Sequence, residues 1–293
     1  MEAFVFLLLN MLAFATILFL QSVGLSIGLG LMNFVNLAHG SFFLMAGYIA
    51  AYVIGRMDTT LVATVATFIV VPLLMAALGW VLHKVLFRQF YNKTHFSQVM
   101  MTYALALIIA EALRATFGSY VVSMPLPDPL RASVGLVGGE YPLYRLLMVL
   151  IGGLASAALY FVFERSAFGV LVRGGVADRQ MAEACGVDTE KLSAKVMAYS
   201  VGLAALGGVL GANMLALFPG LDTIVVLQAL VVVILGGLGN FRGVVVASVA
   251  LGAMTVLVQT YWPDWAAVVI YAALTLALIL RPSGFVTMRE RTV

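Results

Sequence analysis

The chain is poor in charge, in cysteine and in histidine. Only 10% of its 293 residues are Asp, Glu, Lys or Arg, while 63% are apolar. A soluble domain has about 25% charged and about 45–50% apolar residues, so this is an integral membrane protein. There is one cysteine, Cys185. That excludes an intrachain disulfide and leaves no partner for a cysteine metal cluster. His39, His83 and His95 are scattered and give no ligand spacing. No Gly-x-x-x-x-Gly-Lys-Ser/Thr run occurs, so the chain has no usual means of binding ATP itself. No nucleophile–base pair stands out. The formal charge of +3 is modest and forms no basic patch for nucleic acid. Glu2 stands where a cleaved leader would carry Lys or Arg, and no cleavage site follows. The first apolar run is therefore expected to stay as a span.

What is present is a succession of apolar runs. Each span needs about 20 apolar residues. The runs lie at 3–20, 40–54, 61–82, 97–117, 142–163, 196–217, 223–238, 244–261 and 266–280. Pro72 is expected to kink the third. Residues 118–141, with Pro125, Pro127 and Pro129, read as a long loop. Residues 21–39 are apolar but rich in Gly and Asn, and read as a broken or re-entrant segment. The expected fold is all-α: one polytopic transmembrane bundle over 1–293, with about nine to ten spans. Nine spans put the N-terminus outside; a full crossing by 21–39 gives ten and an inside N-terminus.

Lys and Arg favour the cytoplasmic side. With alternating loops, twelve of the sixteen basic residues fall on one side, in 83–96, 164–195, 239–243 and the C-terminus. Only Arg56, Arg114, Arg131 and Arg145 fall on the other. The first side is expected to be inside, with the C-terminus cytoplasmic.

The stretch 164–195 holds ten of the chain's 29 charged residues, five of each sign. Asp178 can cap a helix start and Gly186 suits the position just past its end. Between them, about two turns place Met181, Ala184 and Cys185 on one face, with Arg179, Gln180 and Glu183 beside it. So short a helix is marginal alone and needs something to dock against. A solvated loop is the competing reading.

Uncharged polar residues are the candidates for a solute path. Gln21, Asn33, Asn36 and His39 fall in the Gly-rich segment, and Asn213, Gln228 and Asn240 in or beside later spans. Irregular backbone at membrane depth is tolerated where it meets protein or lines a cavity. Each such residue can also serve as interhelical glue. Glu111 is the one clear acid within a span, near its edge, with Arg114 as an i, i+3 partner. Leu31-Met32-Asn33-Phe34 and Leu238-Gly239-Asn240-Phe241 form a short internal echo, each before a span. These features leave open a permease driven by a separate ATPase and an ion-coupled transporter. The latter would want more acids within the spans.

Residues 28–52, GLGLMNFVNLAHGSFFLMAGYIAAY, resemble the start of the H-type permease subunit of branched-chain amino-acid ABC transporters. The loop 168–188, the Gly-rich 233–252 and RPSGF at 281–285 are similar to later parts of that family, in the same order. One departure is Arg173-Gly174-Gly175, where the family usually has Arg-Ala. Glycines weaken a helix, so the loop is expected to be hinged and the helix to start at Asp178. The resemblance implies a bacterial inner-membrane subunit that is not itself an enzyme and holds no cofactor or metal. It implies a sibling permease, two ATP-binding subunits and a periplasmic solute-binding protein as partners. The solute would be a branched-chain or related small polar amino acid, with urea and short amides as other solutes of the type. Arg173, Asp178, Arg179, Met181, Ala182, Glu183, Ala184, Cys185 and Gly186 would form the coupling helix and its flanks, seated in a groove of the ATPase.

Overall fold

The computed structural model describes residues 2–266 except 58, 59, 92 and 137, together with 268, 269, 271, 272, 275 and 279. The apolar run 266–280 is described only in part, and RPSGF and the basic C-terminal tail lie outside the described residues.

Helix α1 (Glu2–Met32) is the axis of the bundle. Its 31 residues extend about 46 Å at 1.5 Å each, longer than a hydrocarbon core of about 30 Å. From Ala13 to Gly28 every residue is buried, as expected of a helix apolar on all sides. This corrects the expected break over 21–39. The helix runs unbroken to Met32, and only 33–38 are irregular. The glycines that suggested breakage are contact points. A Cβ on Gly24 would lie 2.7 Å from the Ser200 carbonyl oxygen, and one on Gly30 would lie 3.0 Å from Gly239 Cα. Small residues let helices approach closely in a bilayer. The turn comes at Asn33, whose φ of 47° is left-handed, a conformation Asn tolerates better than most residues.

The chain continues as α2 (His39–Arg56), α3 (Leu61–Val85) and α4 (His95–Phe117). Then come the short α5 (Asp128–Arg131), strands β1 (Ser133–Leu136) and β2 (Gly139–Pro142), and α6 (Leu143–Tyr160). A π-helical turn, Phe161–Arg165, leads to α7 (Ala167–Ala177), α8 (Arg179–Ala184) and α9 (Thr189–Gly211). Then come α10 (Leu221–Gly236) and α11 (Phe241–Tyr261), followed by a 3₁₀ turn at Pro263–Trp265. Helices α6, α9, α10 and α11 pack on α1, and α2 and α3 on α9.

The all-α expectation needs one amendment. The loop 118–141 contains an antiparallel hairpin, with Ser133 opposite Pro142 and Val134 opposite Tyr141. Its second strand and the start of α6 are tied to α1: Tyr141 Oη donates to Asn10 Oδ1 at 2.9 Å, and Arg145 Nη1 of α6 reaches the same oxygen at 2.7 Å. The N-terminus therefore sits at the hairpin end. The segments 83–96, 164–195 and 237–243 gather at the opposite end, linked by ion pairs Arg88–Glu190 at 2.9 Å and Arg242–Glu164 at 3.8 Å. Six described helices are long and apolar enough to cross a membrane: α1, α3, α4, α6 with its π turn, α9 and α11. That is fewer than the nine to ten spans expected. Helix α10 has 16 residues, and α2 carries His, Gly and Tyr among its apolar positions.

Candidate functional site

A buried polar cluster joins α1, α2 and α10. His39 opens α2 and is wholly buried; its Nε2 lies 2.7 Å from the Gln21 carbonyl oxygen. Gln21 Nε2 donates to the Val225 carbonyl of α10 at 3.0 Å. Ser41 Oγ donates to Asp222 Oδ2 at 2.8 Å. Gly40 lies against the Asp222 carbonyl so closely that a Cβ there would overlap it. Gln21 Oε1 and His39 Nδ1 have no partner among the described residues. Polar side chains inside a membrane bundle are costly and mark functional sites.

Asp222 escaped the sequence reading. It stands just before the apolar run 223–238, whereas α10 already begins at Leu221 and buries the carboxylate. The legible signal was Gly220 followed by an acid in a first helical turn. Beside Asp222, Arg114 Nη1 pairs with Glu111 Oε1 at 3.4 Å. Together they line a cavity of about 280 Å³ between α4 and α10.

The other path candidates are dispersed. Asn36 is buried in the irregular stretch 33–38. That stretch is held by α4: the Leu37 N–H donates to Thr102 Oγ1 at 3.2 Å. Asn33 is exposed at the basic end. Asn213 Nδ2 donates to the Met124 carbonyl at 3.0 Å, fixing a loop at the hairpin end. Asn240 Oδ1 caps α11 by accepting the Gly243 N–H at 3.2 Å. Gln228 is half-buried on α10. The structure thus brings Gln21 and His39 together and keeps the rest apart. Gly30, just before the first echoed tetrapeptide, lies against Gly239 of the second.

The second candidate site is the stretch 164–195. Helix α7 runs through Gly174 and Gly175 to Ala177, so the expected hinge is absent. Gly175 is there for space: a Cβ would lie 2.5 Å from Leu31 Cδ1, at the end of α1. Arg173 donates to the Phe163 carbonyl and braces the corner between α6 and α7. Asp178 caps α8, its Oδ1 accepting the Met181 N–H at 2.9 Å. Gly186 follows with φ 84°, as a helix C-terminus favours. Glu183 accepts from Thr189 Oγ1 and from Arg179 Nε, and these bonds, Thr189's first, hold its carboxyl below the usual glutamate range. Ala182 faces inward, while Met181 is 62% exposed and Ala184 and Cys185 are exposed beside it.

A chain of contacts leads from α8 to the irregular stretch. The Arg179 guanidinium lies 6.0 Å from the centre of the Tyr91 ring. Tyr91 Oη donates to Met32 Sδ at 3.0 Å, and its ring meets Phe34 edge-on at 5.5 Å. Burial beside these groups pushes the Tyr91 hydroxyl well above the ordinary tyrosine range, so it stays a donor.

The described helices thus form a membrane bundle with a buried polar seam, and a capped surface helix that reaches the irregular stretch through Tyr91. The chain belongs to the family described as "Branched-chain amino acid transport system / permease component", which matches residues 7–278. It is a permease subunit, a transport component and not an enzyme. Relatives include the high-affinity branched-chain amino acid transport system permease protein LivH of Salmonella typhimurium, 23% identical over 92% of this chain and 91% of that protein. LivH of Escherichia coli K12 matches to the same extent. Permease protein BraD of Pseudomonas aeruginosa is 22% identical over 97% of this chain and 95% of its own. No solved structure matches the chain significantly.

Proposed function

We propose that the chain forms half of the translocation path of an ABC importer for branched-chain or related small amino acids. A sibling permease would supply the other half. Two ATP-binding subunits would hydrolyse ATP, and a periplasmic binding protein would deliver the solute. The names of the relatives support the substrate class. The basic end of the bundle, with 83–96, 164–195 and 239–243, faces the cytoplasm in this reading, as Lys and Arg prefer. The protein lies in the bacterial inner membrane, with its N-terminus outside and its C-terminus cytoplasmic.

The observation that carries the reading is α8. It is capped at both ends, anchored by Ala182 and Glu183, and leaves Met181, Ala184 and Cys185 uncovered at the basic end. A six-residue helix gains little by standing alone. Seated in an ATPase groove, it passes movement through Arg179 to Tyr91 and so to Met32 and Phe34. Gln21, His39 and Ser41 then shift against Asp222 and Val225 of α10, opening or closing the path. The test is reconstitution with the sibling permease, ATPases and binding protein in vesicles. Leucine-loaded binding protein should stimulate ATP hydrolysis and leucine uptake together. Uptake driven by an ion gradient without ATP would instead support an ion-coupled transporter.

A further inference from the structure

The pair Glu111–Arg114 lies deeper than its sequence position suggested. Helix α4 ends at Phe117, whose ring stacks on Tyr48 at 5.1 Å. From Tyr48, α2 continues eight residues to Arg56, about 12 Å further toward the hairpin end. The pair sits on the other side of that level, against Asp222 and the start of α10. It is therefore within the apolar thickness of the bundle and not at its rim. Yet Glu111 and Arg114 leave 66% and 53% of their side chains exposed. A charge inside the bilayer faces protein or a water-filled path, seldom lipid. Both charges also line the cavity, with Asp222 and Thr223 on the far wall and Leu107 and Leu227 as apolar sides.

We propose that this cavity is a resting site for an amino-acid zwitterion midway across the membrane, read by Arg114 at its carboxylate and by Glu111 and Asp222 at its ammonium. The proposal rests on the permease reading and names the site at which that permease holds its solute. The chemistry is complementary on each count. A guanidinium matches a carboxylate in two parallel hydrogen bonds. A carboxylate accepts from an ammonium. Leu107 and Leu227 border the place of an aliphatic side chain. A zwitterion has no net charge, so Glu111 and Arg114 exchange each other for the solute and back again. A solute with only one charge would leave Glu111 or Arg114 without its partner in the cavity and lose one charge-assisted hydrogen bond.

The test uses the assembled permease and ATPase complex in nanodiscs, without binding protein. Thr223→Cys places a thiol in the cavity wall and keeps the ion pair; its maleimide labelling is read by peptide mass. Leucine should slow labelling severalfold. The amine lacking the carboxylate and the acid lacking the ammonium should each need about tenfold higher concentration. Adding Arg114→Gln should reduce leucine to the standing of the amine, and adding Glu111→Gln should move it toward that of the acid, with Asp222 still meeting the ammonium. Absence of protection by leucine in the Thr223→Cys chain overturns the proposal, as does unchanged discrimination in both substituted chains. If the pair only seats the sibling subunit, those substitutions dissociate the complex while leucine still fails to protect Cys at 223. Failure here with intact leucine uptake by the full transporter leaves the permease reading standing; loss of both removes that reading too.

Discussion

Replacing Ala184 with Arg separates a docking helix from a solvated loop, and the structure supplies its own control at Ala182. Ala184 is exposed at the end of α8, so an arginine there has room in the isolated subunit. Surface changes of this sort alter stability by about 0.5 kcal/mol or less. In a groove of the ATPase, the same arginine would bury an unpaired charge among apolar contacts. That costs at least about 2 kcal/mol, roughly a thirtyfold loss of affinity. Ala182 is 9% exposed and packs inward, so Ala182→Arg should destabilise the permease itself. Asp178→Ala removes one cap bond, about 1 kcal/mol, and should weaken docking only slightly. The assay is co-purification of the ATPase with each variant, plus thermal stability of the permease alone. The expected pattern is a stable Ala184→Arg subunit without ATPase, an unstable Ala182→Arg subunit, and a nearly normal Asp178→Ala subunit. Full assembly and full solute-stimulated hydrolysis in Ala184→Arg would refute the docking of α8.

Other outcomes can be measured separately. Tyr91→Phe removes the bond to Met32 Sδ but keeps the ring; ATPase binding should persist while uptake per ATP falls, and unchanged coupling would show that Tyr91 is packing alone. Cysteines placed at Arg131 and Arg179 should be labelled from outside and from inside intact cells respectively; the reverse would invert the topology. Glu183 is held below the usual glutamate range by Thr189 and Arg179. Its contribution to anchoring α8 is present above that usual range and is lost as pH falls through the lowered native value. Hydrogen exchange of 178–186, corrected for intrinsic rates, should therefore stay slow through mild acid and rise only below it; a rise already near neutral pH would contradict the anchoring. Asn10→Leu leaves Tyr141 and Arg145 without their shared acceptor and should loosen the hairpin to proteolysis without altering ATPase assembly; an intact hairpin would show that Asn10 does not hold it.

The parts of the fold legible in sequence are those set by near neighbours. Asp178 and Gly186 bracket α8 because capping acts within three residues. The apolar runs became helices because a bilayer allows an isolated segment no other hydrogen-bonding scheme. Gly24 and Gly30 misled, because their role is contact with Ser200 and Gly239, far along the chain. The same holds for Gly175, whose lack of a side chain matters only once Leu31 is beside it. Asp222 was illegible as a buried acid until Ser41 stood 2.8 Å away. The hairpin at 133–142 was obscured by three prolines just upstream and by its mixed, half-exposed strands.

The unbroken α1 has a mechanical consequence. Its first turns are fastened to the hairpin through Asn10, and its last residues press on Gly175 and touch Tyr91. A helix held at both faces of the membrane behaves as a stiff rod. Tilting a rod of about 46 Å by about 10° around its middle displaces each tip by about 4 Å, in opposite senses. An event at one surface is then felt at the other without any relay through the lipid-facing helices.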